Sequence, residues 1–175
     1  MRRTTAVTII AILAAALTAC AGGGSSGDKA SSDTKPAGGP AAIGSSSVTA
    51  ATAWAAIHKA VPTSRYSLTV TEANDGNHLL GRPHQYTSAV KFADTRVKAS
   101  DVASSEKGDV SYGGGIEVFG NHSDAQARAD YIQAIVKASP IFAEYDYVSG
   151  DVVIRISHYL SPAQAAEYKT AGDKL

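Results

Sequence analysis

Apolar positions recur at helical spacing from Ala50 to Val61, with Trp54, Ile57, His58 and Val61 on one side and Pro62 as a stop. The period then falls to two. Tyr66, Leu68 and Val70 alternate with Ser67, Thr69 and Thr71 and predict a half-buried strand; Tyr86–Phe92 alternates in the same way. Between them Glu72–Gln85, rich in Asn, Asp, Gly and Pro, reads as a loop, and Arg96–Ser111 is polar and irregular. Gly115–Phe119 predicts a third strand with Gly113-Gly114 as a flexible lead-in. Ser123 is placed to cap a second helix, with Gln126 completing a capping box and Ala125, Ala129, Ile132 and Val136 forming one face. Glu144–Val148 and Val152–Ser157 flank Ser149-Gly150-Asp151, a hairpin signal. Ser161-Pro162-Ala163-Gln164 opens the last helix with its cap, its N1 proline and its capping-box glutamine in order.

The order is therefore α-β-β, β-α-β-β, α. Its economical packing is an α+β domain over 48–175, an antiparallel sheet of about five strands with three helices mainly on one face. Helix followed by two strands occurs twice, at 50–92 and 123–157, so two stacked repeats remain an alternative.

The segment before the domain has a different character. Ala21–Ser47 holds seven Gly, seven Ser and two Pro and no aromatic residue, a composition that cannot offset the entropy of ordering and predicts a disordered tether. Its flexible span is roughly 30 Å. Ahead of it, Arg2-Arg3 precede the uncharged run Ala6–Ala16, the layout of a signal peptide over 1–19. That run is too short for a bilayer, which takes about 20 residues. It ends Leu17-Thr18-Ala19-Cys20. These residues resemble the lipobox of bacterial lipoproteins. The resemblance implies cleavage before Cys20, acylation of its thiol with palmitate-type chains, and attachment to the outer face of the cell membrane. Two or three chains, at about 0.8 kcal/mol per buried CH₂, anchor a protein stably. Arg2-Arg3 also raises twin-arginine export, but no apolar residue follows at the expected place, which favours the general secretory route.

The chain has 175 residues, 16 basic against 16 acidic, and a single cysteine. Neutrality argues against a nucleic-acid partner, which would need clustered Lys and Arg. One cysteine excludes an internal disulfide, a CxxC pair and a Cys-rich zinc site.

Candidate chemistry concentrates in the 72–86 loop, longer than hairpin loops usually run. Asn77, His78, Arg82, His84 and Tyr86 form the candidate binding site, Arg82 offering a bidentate fork to a carboxylate or phosphate. Leu79 and Leu80 are placed to tuck under the sheet and order the loop. His58, His78, His84, His122 and His158 raise a metal carrier, yet no pair has HExxH spacing, so no metal or other cofactor is assigned. Glu144 and Asp146 alternate with Tyr145 and Tyr147 and read, with Glu117, as exposed carboxylates on the wet face of a sheet. No GxSxG or SxxK supports acyl transfer, and no catalytic residue is assigned.

Asn77–Pro83, Tyr86–Ser88, Gly114–Phe119 and Ala127–Gln133 are similar to a set of uncharacterised small lipoproteins of high-GC Gram-positive bacteria. The likeness implies the cell-envelope setting and brings no activity, ligand or catalytic residue. The sequence thus leads to a lipid-anchored, extracytoplasmic, non-enzymatic binding module whose partner, besides the bilayer held through Cys20, is an envelope protein or small ligand. A small envelope hydrolase and a histidine-based metal carrier are the alternatives.

Overall fold

Each long helix starts where a side-chain oxygen accepts an otherwise unpaired amide. The computed structural model describes residues 48–175; the leader, Cys20 and the expected tether lie outside the described residues. Helix α1 (Ala50–Ala60) is capped by Thr49, which exchanges hydrogen bonds with Thr52. Helix α3 (Pro162–Gly172) carries the expected Ser161/Gln164 box. Helix α2 (His122–Ala138) begins earlier than the sequence suggested. Extended Asn121, not Ser123, accepts from the Asp124 amide at 2.9 Å, and Gln126 donates instead to Asp130.

Five strands form one antiparallel sheet in the order β1-β2-β3-β5-β4: β1 (Ser64–Thr69), β2 (Ser88–Asp94), β3 (Gly113–Val118), β4 (Glu144–Ser149) and β5 (Val152–Ser157). Helices α1 and α3 cover one face, where Ala53, Ile57, Phe92, Ile116, Ile154, Ile156 and Tyr168 make the larger core. Helix α2 lies on the other face against β4 and β5, with Ala125 and Ala129 packed on Val153 and Phe119. The fold is α+β, with two of its three helices on one face. The two helix–strand–strand copies share this single sheet rather than stacking as separate repeats. They sit on either side of β3, each with its first strand at an edge, and their helices are on opposite faces. No helix among the described residues is long and apolar enough to cross a membrane.

Two local departures matter for the site. In β1, Tyr66 pairs with Phe92 but Leu68 pairs with Lys91, so Ser67 is an extra residue and the strand bulges. Tyr66 therefore turns to the α1 side, edge-on to Trp54 at 5.3 Å, while Leu68 turns to the α2 side. The expected single face for Tyr66, Leu68 and Val70 is broken there. The glycine run is no flexible lead-in but the buried start of the central strand. A Cβ on Gly113 would lie 2.4 Å from the Asp94 nitrogen, and one on Gly114 2.3 Å from the Arg155 carbonyl oxygen. Only hydrogen fits at either position.

Candidate functional site

The 72–86 loop is ordered around one carboxylate. Asp75, 5% exposed, accepts from the Tyr86 hydroxyl at 2.6 Å and from the amides of Leu79 and Leu80 at 2.8 Å each and Asn77 at 3.1 Å. Burial alone would raise its pKa; these donors outweigh it and hold the carboxyl below the ordinary aspartate value. Leu79 and Leu80 tuck toward Val70 and Phe119 as expected.

The loop does not gather its candidate binding residues. His78, Arg82 and His84 are exposed, with His78 and His84 in left-handed backbone (φ 53° and 62°). His84 Nδ1 lies 3.0 Å from Asp124. Tyr86 is buried and its hydroxyl is committed to Asp75. Among the described residues, no hydrogen bond or ion pair links Arg82 to His78, His84 or Tyr86. The histidines are likewise dispersed: His58 stacks on Trp54, His122 meets the Gly150 carbonyl, and His158 packs on Tyr159. Among the described residues no group of three or more His, Cys, Asp or Glu side chains is placed to hold a metal.

The chemistry lies instead between α2 and the sheet. Glu117 of β3 is fully buried and accepts from Arg128 Nε at 2.9 Å, Arg128 Nη2 at 3.3 Å and Arg155 Nη1 at 3.0 Å. Arg155 also grips Glu144 through Nε and Nη2, both at 2.9 Å. Gln133 donates to Asp146 Oδ2, while Asp146 Oδ1 is buried with no hydrogen-bond partner. Glu117, Glu144 and Asp146 are thus not the wet face that alternation suggested. Helix α2 roofs β4 and β5, and the carboxylates survive burial because arginines meet them. Burial raises the Glu117 pKa, but Arg155 and Arg128 overcome it and bring it down to about 2. Burial and the adjacent Glu144 push Asp146 up to about 7.

Lys91 of β2 completes the cluster. Its side chain folds across β3 over Gly115, where a Cβ would sit 3.2 Å from both Cδ and Nζ. Shielding from water, and then Arg155, lower its pKa. Among the described residues its ammonium has no hydrogen-bond acceptor or ion-pair partner; it lines a cavity of about 410 Å³ together with Glu117, Arg155 and Asn74–Asn77. A second cavity, of about 680 Å³, runs along α2 past Arg128, Ile132 and Ile135 to Phe142. Arg155, Asn77, Asp109 and Val110 border both. The two form a trough with a charged floor, walled by the 72–86 loop, the 104–111 segment and α2, and both volumes fall in the range of ligand sites. Its outer rim is apolar: Tyr131, Ile141 and Phe142 are 60–80% exposed.

Serines and charged side chains line the trough. Among the serines lining it, no hydroxyl is hydrogen-bonded to a histidine or carboxylate: Ser157 Oγ donates to the Ser111 carbonyl and Ser111 Oγ is buried without a partner. Asp146, whose carboxyl is pushed up to about 7, has no exposed side-chain surface. One signal in the sequence did point here. Glu117 interrupts the run Gly113–Phe119, and a central strand covered on both faces can carry a charge only if a counter-charge is buried with it. Compared with protein families, with curated proteins and with solved structures, the chain matches none of them.

Proposed function

We propose that this chain is a lipid-anchored, extracytoplasmic binding module whose ligand seat is the trough between α2 and the 104–111 segment. The observation that carries the binding half is the trough itself, two adjoining cavities beside the charge cluster of Glu117, Arg128 and Arg155. The anchoring half rests on Leu17-Thr18-Ala19-Cys20, directly after a leader-like apolar run. Acyl chains on Cys20 would hold the domain near the outer face of the membrane, with the 27 Gly- and Ser-rich residues of 21–47 between the anchor and the domain. Of the 72–86 loop, Asn74–Asn77 supply a trough wall, while Arg82 stands apart as a second exposed donor.

Two measurements test this reading. In the native host, mass spectrometry should find the mature N-terminus at an acylated Cys20, and Cys20→Ser should move the protein from the membrane to the soluble fraction. An unmodified thiol or an uncut leader overturns the anchor. In solution, a screen of small neutral, anionic and cationic fragments should shift amide NMR signals at Asn77, Lys91, Val110 and Gly115. If no fragment of any charge shifts them, the binding half is wrong.

A further inference from the structure

The rim of the larger cavity gathers most of the apolar surface that the domain leaves uncovered. Among the described residues seven large apolar side chains are exposed, and five of them, Tyr131, Ile135, Ile141, Phe142 and Tyr159, line this one cavity. Ile141 and Phe142 are neighbours on the short 3₁₀ turn Pro140–Phe142 after α2, 80% and 62% exposed. Tyr131 and Ile135 lie one helical turn apart on α2, and Tyr159 follows β5 with the His158 ring packed on it. At about 200 Å² for a large side chain, five that are about half exposed offer roughly 500 Å², the size of a functional patch on a single domain. Charged groups in the same lining are engaged elsewhere: Arg128 with Glu117, Arg155 with Glu117 and Glu144, and Asp109 with the Ser111 amide. The rim is therefore apolar and brings no basic patch with it.

We infer that this rim docks the folded domain on a lipid surface, Ile141 and Phe142 entering the acyl boundary and the rings of Tyr131 and Tyr159 resting at headgroup level. The inference rests on the anchoring half of the reading above, which puts a bilayer beside the domain. Roughly 500 Å² falls short of the ~800 Å² per partner that a stable protein interface buries, so a second copy would be held only weakly. A leaflet is different, because the anchor supplies the proximity. The 27 residues between Cys20 and Val48 can span up to about 90 Å, against a domain roughly 35 Å across, so every face can reach the leaflet. Docking is then intramolecular, and a small patch suffices. The side chains suit that boundary: Ile and Phe for the acyl region, and Tyr with an apolar ring and a polar tip for the headgroups. With no basic patch in the lining, insertion rather than charge drives the contact, and neutral lipid is enough.

The single cysteine permits a test that does not depend on what the host does to Cys20. The chain from Cys20 to Leu175 is coupled through that thiol to a maleimide headgroup in nanodiscs of neutral phosphatidylcholine that also hold a nitroxide-labelled lipid. Paramagnetic broadening of amide NMR signals is then compared between the two sides of the domain. Broadening at Ile135, Ile141, Phe142 and Tyr159 should be at least threefold stronger than at Lys59 and Thr170, exposed on α1 and α3 over the opposite face, and should not change with added anionic lipid or salt. Ile141→Ser combined with Phe142→Ser should abolish the difference, and Leu175→Ser, exposed but outside the rim, should leave it intact. Equal broadening on the two faces of the parent, or a preference that survives in the double variant, overturns the docking. A requirement for anionic lipid overturns apolar insertion. A dimer that buries the rim, seen by sedimentation without lipid, gives the patch to a second copy and overturns the inference as well. Mass spectrometry of native Cys20 decides the anchor separately, so a chain acylated in its host that shows no facial preference on discs fails here alone. The parent comparison of the two faces needs no variant, so the inference is exposed even if the double variant fails to fold.

Discussion

Glu117→Gln is the sharpest test of how the α2 face is held together. The substitution keeps shape and volume but removes the charge that three guanidinium N–H groups address, and it aims an amide N–H₂ at them. Arg128 and Arg155, whose side chains are 10% and 14% exposed, then lie buried with one carboxylate fewer. Breaking a buried pair from one side costs about 3–5 kcal/mol. A second route gives the same size: the pKa falls from an ordinary 4.5 to about 2, which at about 1.4 kcal/mol per pH unit is about 3 kcal/mol. For a domain of this length, with unfolding entropy near 2.1 cal/mol/K per residue, that is a fall in Tm of roughly 10–15 °C. Urea unfolding followed by circular dichroism at pH 7 should show the midpoint lower by about 2 M, taking a slope near 1.5 kcal/mol/M. Because the folded pKa lies below the unfolded one, the stabilisation is complete above about 4.5 and disappears as the pH falls toward about 2. The gap between parent and variant should close over that window. A variant within about 1 kcal/mol of the parent at pH 7, or a gap unchanged from pH 5 to pH 2, would refute the ion cluster as described.

Three further outcomes follow from the same coordinates. Asp146→Asn should stabilise the protein by up to about 4 kcal/mol at pH 8, because a carboxyl raised from an ordinary 3.8 to about 7 on folding costs about 1.4 kcal/mol for each pH unit climbed between those values. The gain should shrink as the pH falls from about 7 toward the ordinary value of 3.8 and vanish below about pH 4 in thermal melts, and equal stability at pH 8 counts against the buried, unpartnered Oδ1. Gly113→Ala places a methyl 2.4 Å from the Asp94 backbone nitrogen and should cost about 3 kcal/mol or more, read by solubility and melting; a parent-like Tm would mean β2 and β3 are not so close. Asp75→Asn turns an amide group toward three backbone N–H donors and should raise hydrogen exchange at Asn77, Leu79 and Leu80 with a loss of about 2 kcal/mol; unchanged protection would show the loop is held by its leucines instead.

The elements were legible where local rules act alone. Ser161 and Pro162 fix a helix start through backbone chemistry within four residues, and Ser149-Gly150-Asp151 closes a hairpin the same way. Errors arose where one local cap outcompetes another and where a distant partner decides. The start of α2 moved to Asn121 because its side chain bonds Asp124 in both directions, which Ser123 cannot imitate. The Tyr66/Leu68 bulge is set by pairing with β2, and nothing in Tyr66–Leu68 itself marks the extra residue. Tyr86 read as the first residue of a strand, yet it serves the loop, because Asp75, eleven residues earlier, claims its hydroxyl.

The site was harder to read for a physical reason. Alternation reports which residues share a face, not whether the face is covered, and Glu144 and Asp146 look alike under water or under α2. Once α2 is known to lie on the face opposite α1 and α3, the buried charges become the informative feature, since replacing such a set with well-packed apolar residues is commonly neutral or stabilising. Glu117, Arg128, Arg155 and Glu144 at least offset one another. Lys91 is different: it is half-buried, it has no hydrogen-bond acceptor among the described residues, and shielding from water lowers its pKa despite Glu117 and Glu144, while a methionine of similar length over Gly115 would keep the packing without a charge. Lys91→Met should therefore melt above the parent, and an unchanged or lower Tm would show that the ammonium is adequately solvated where it stands.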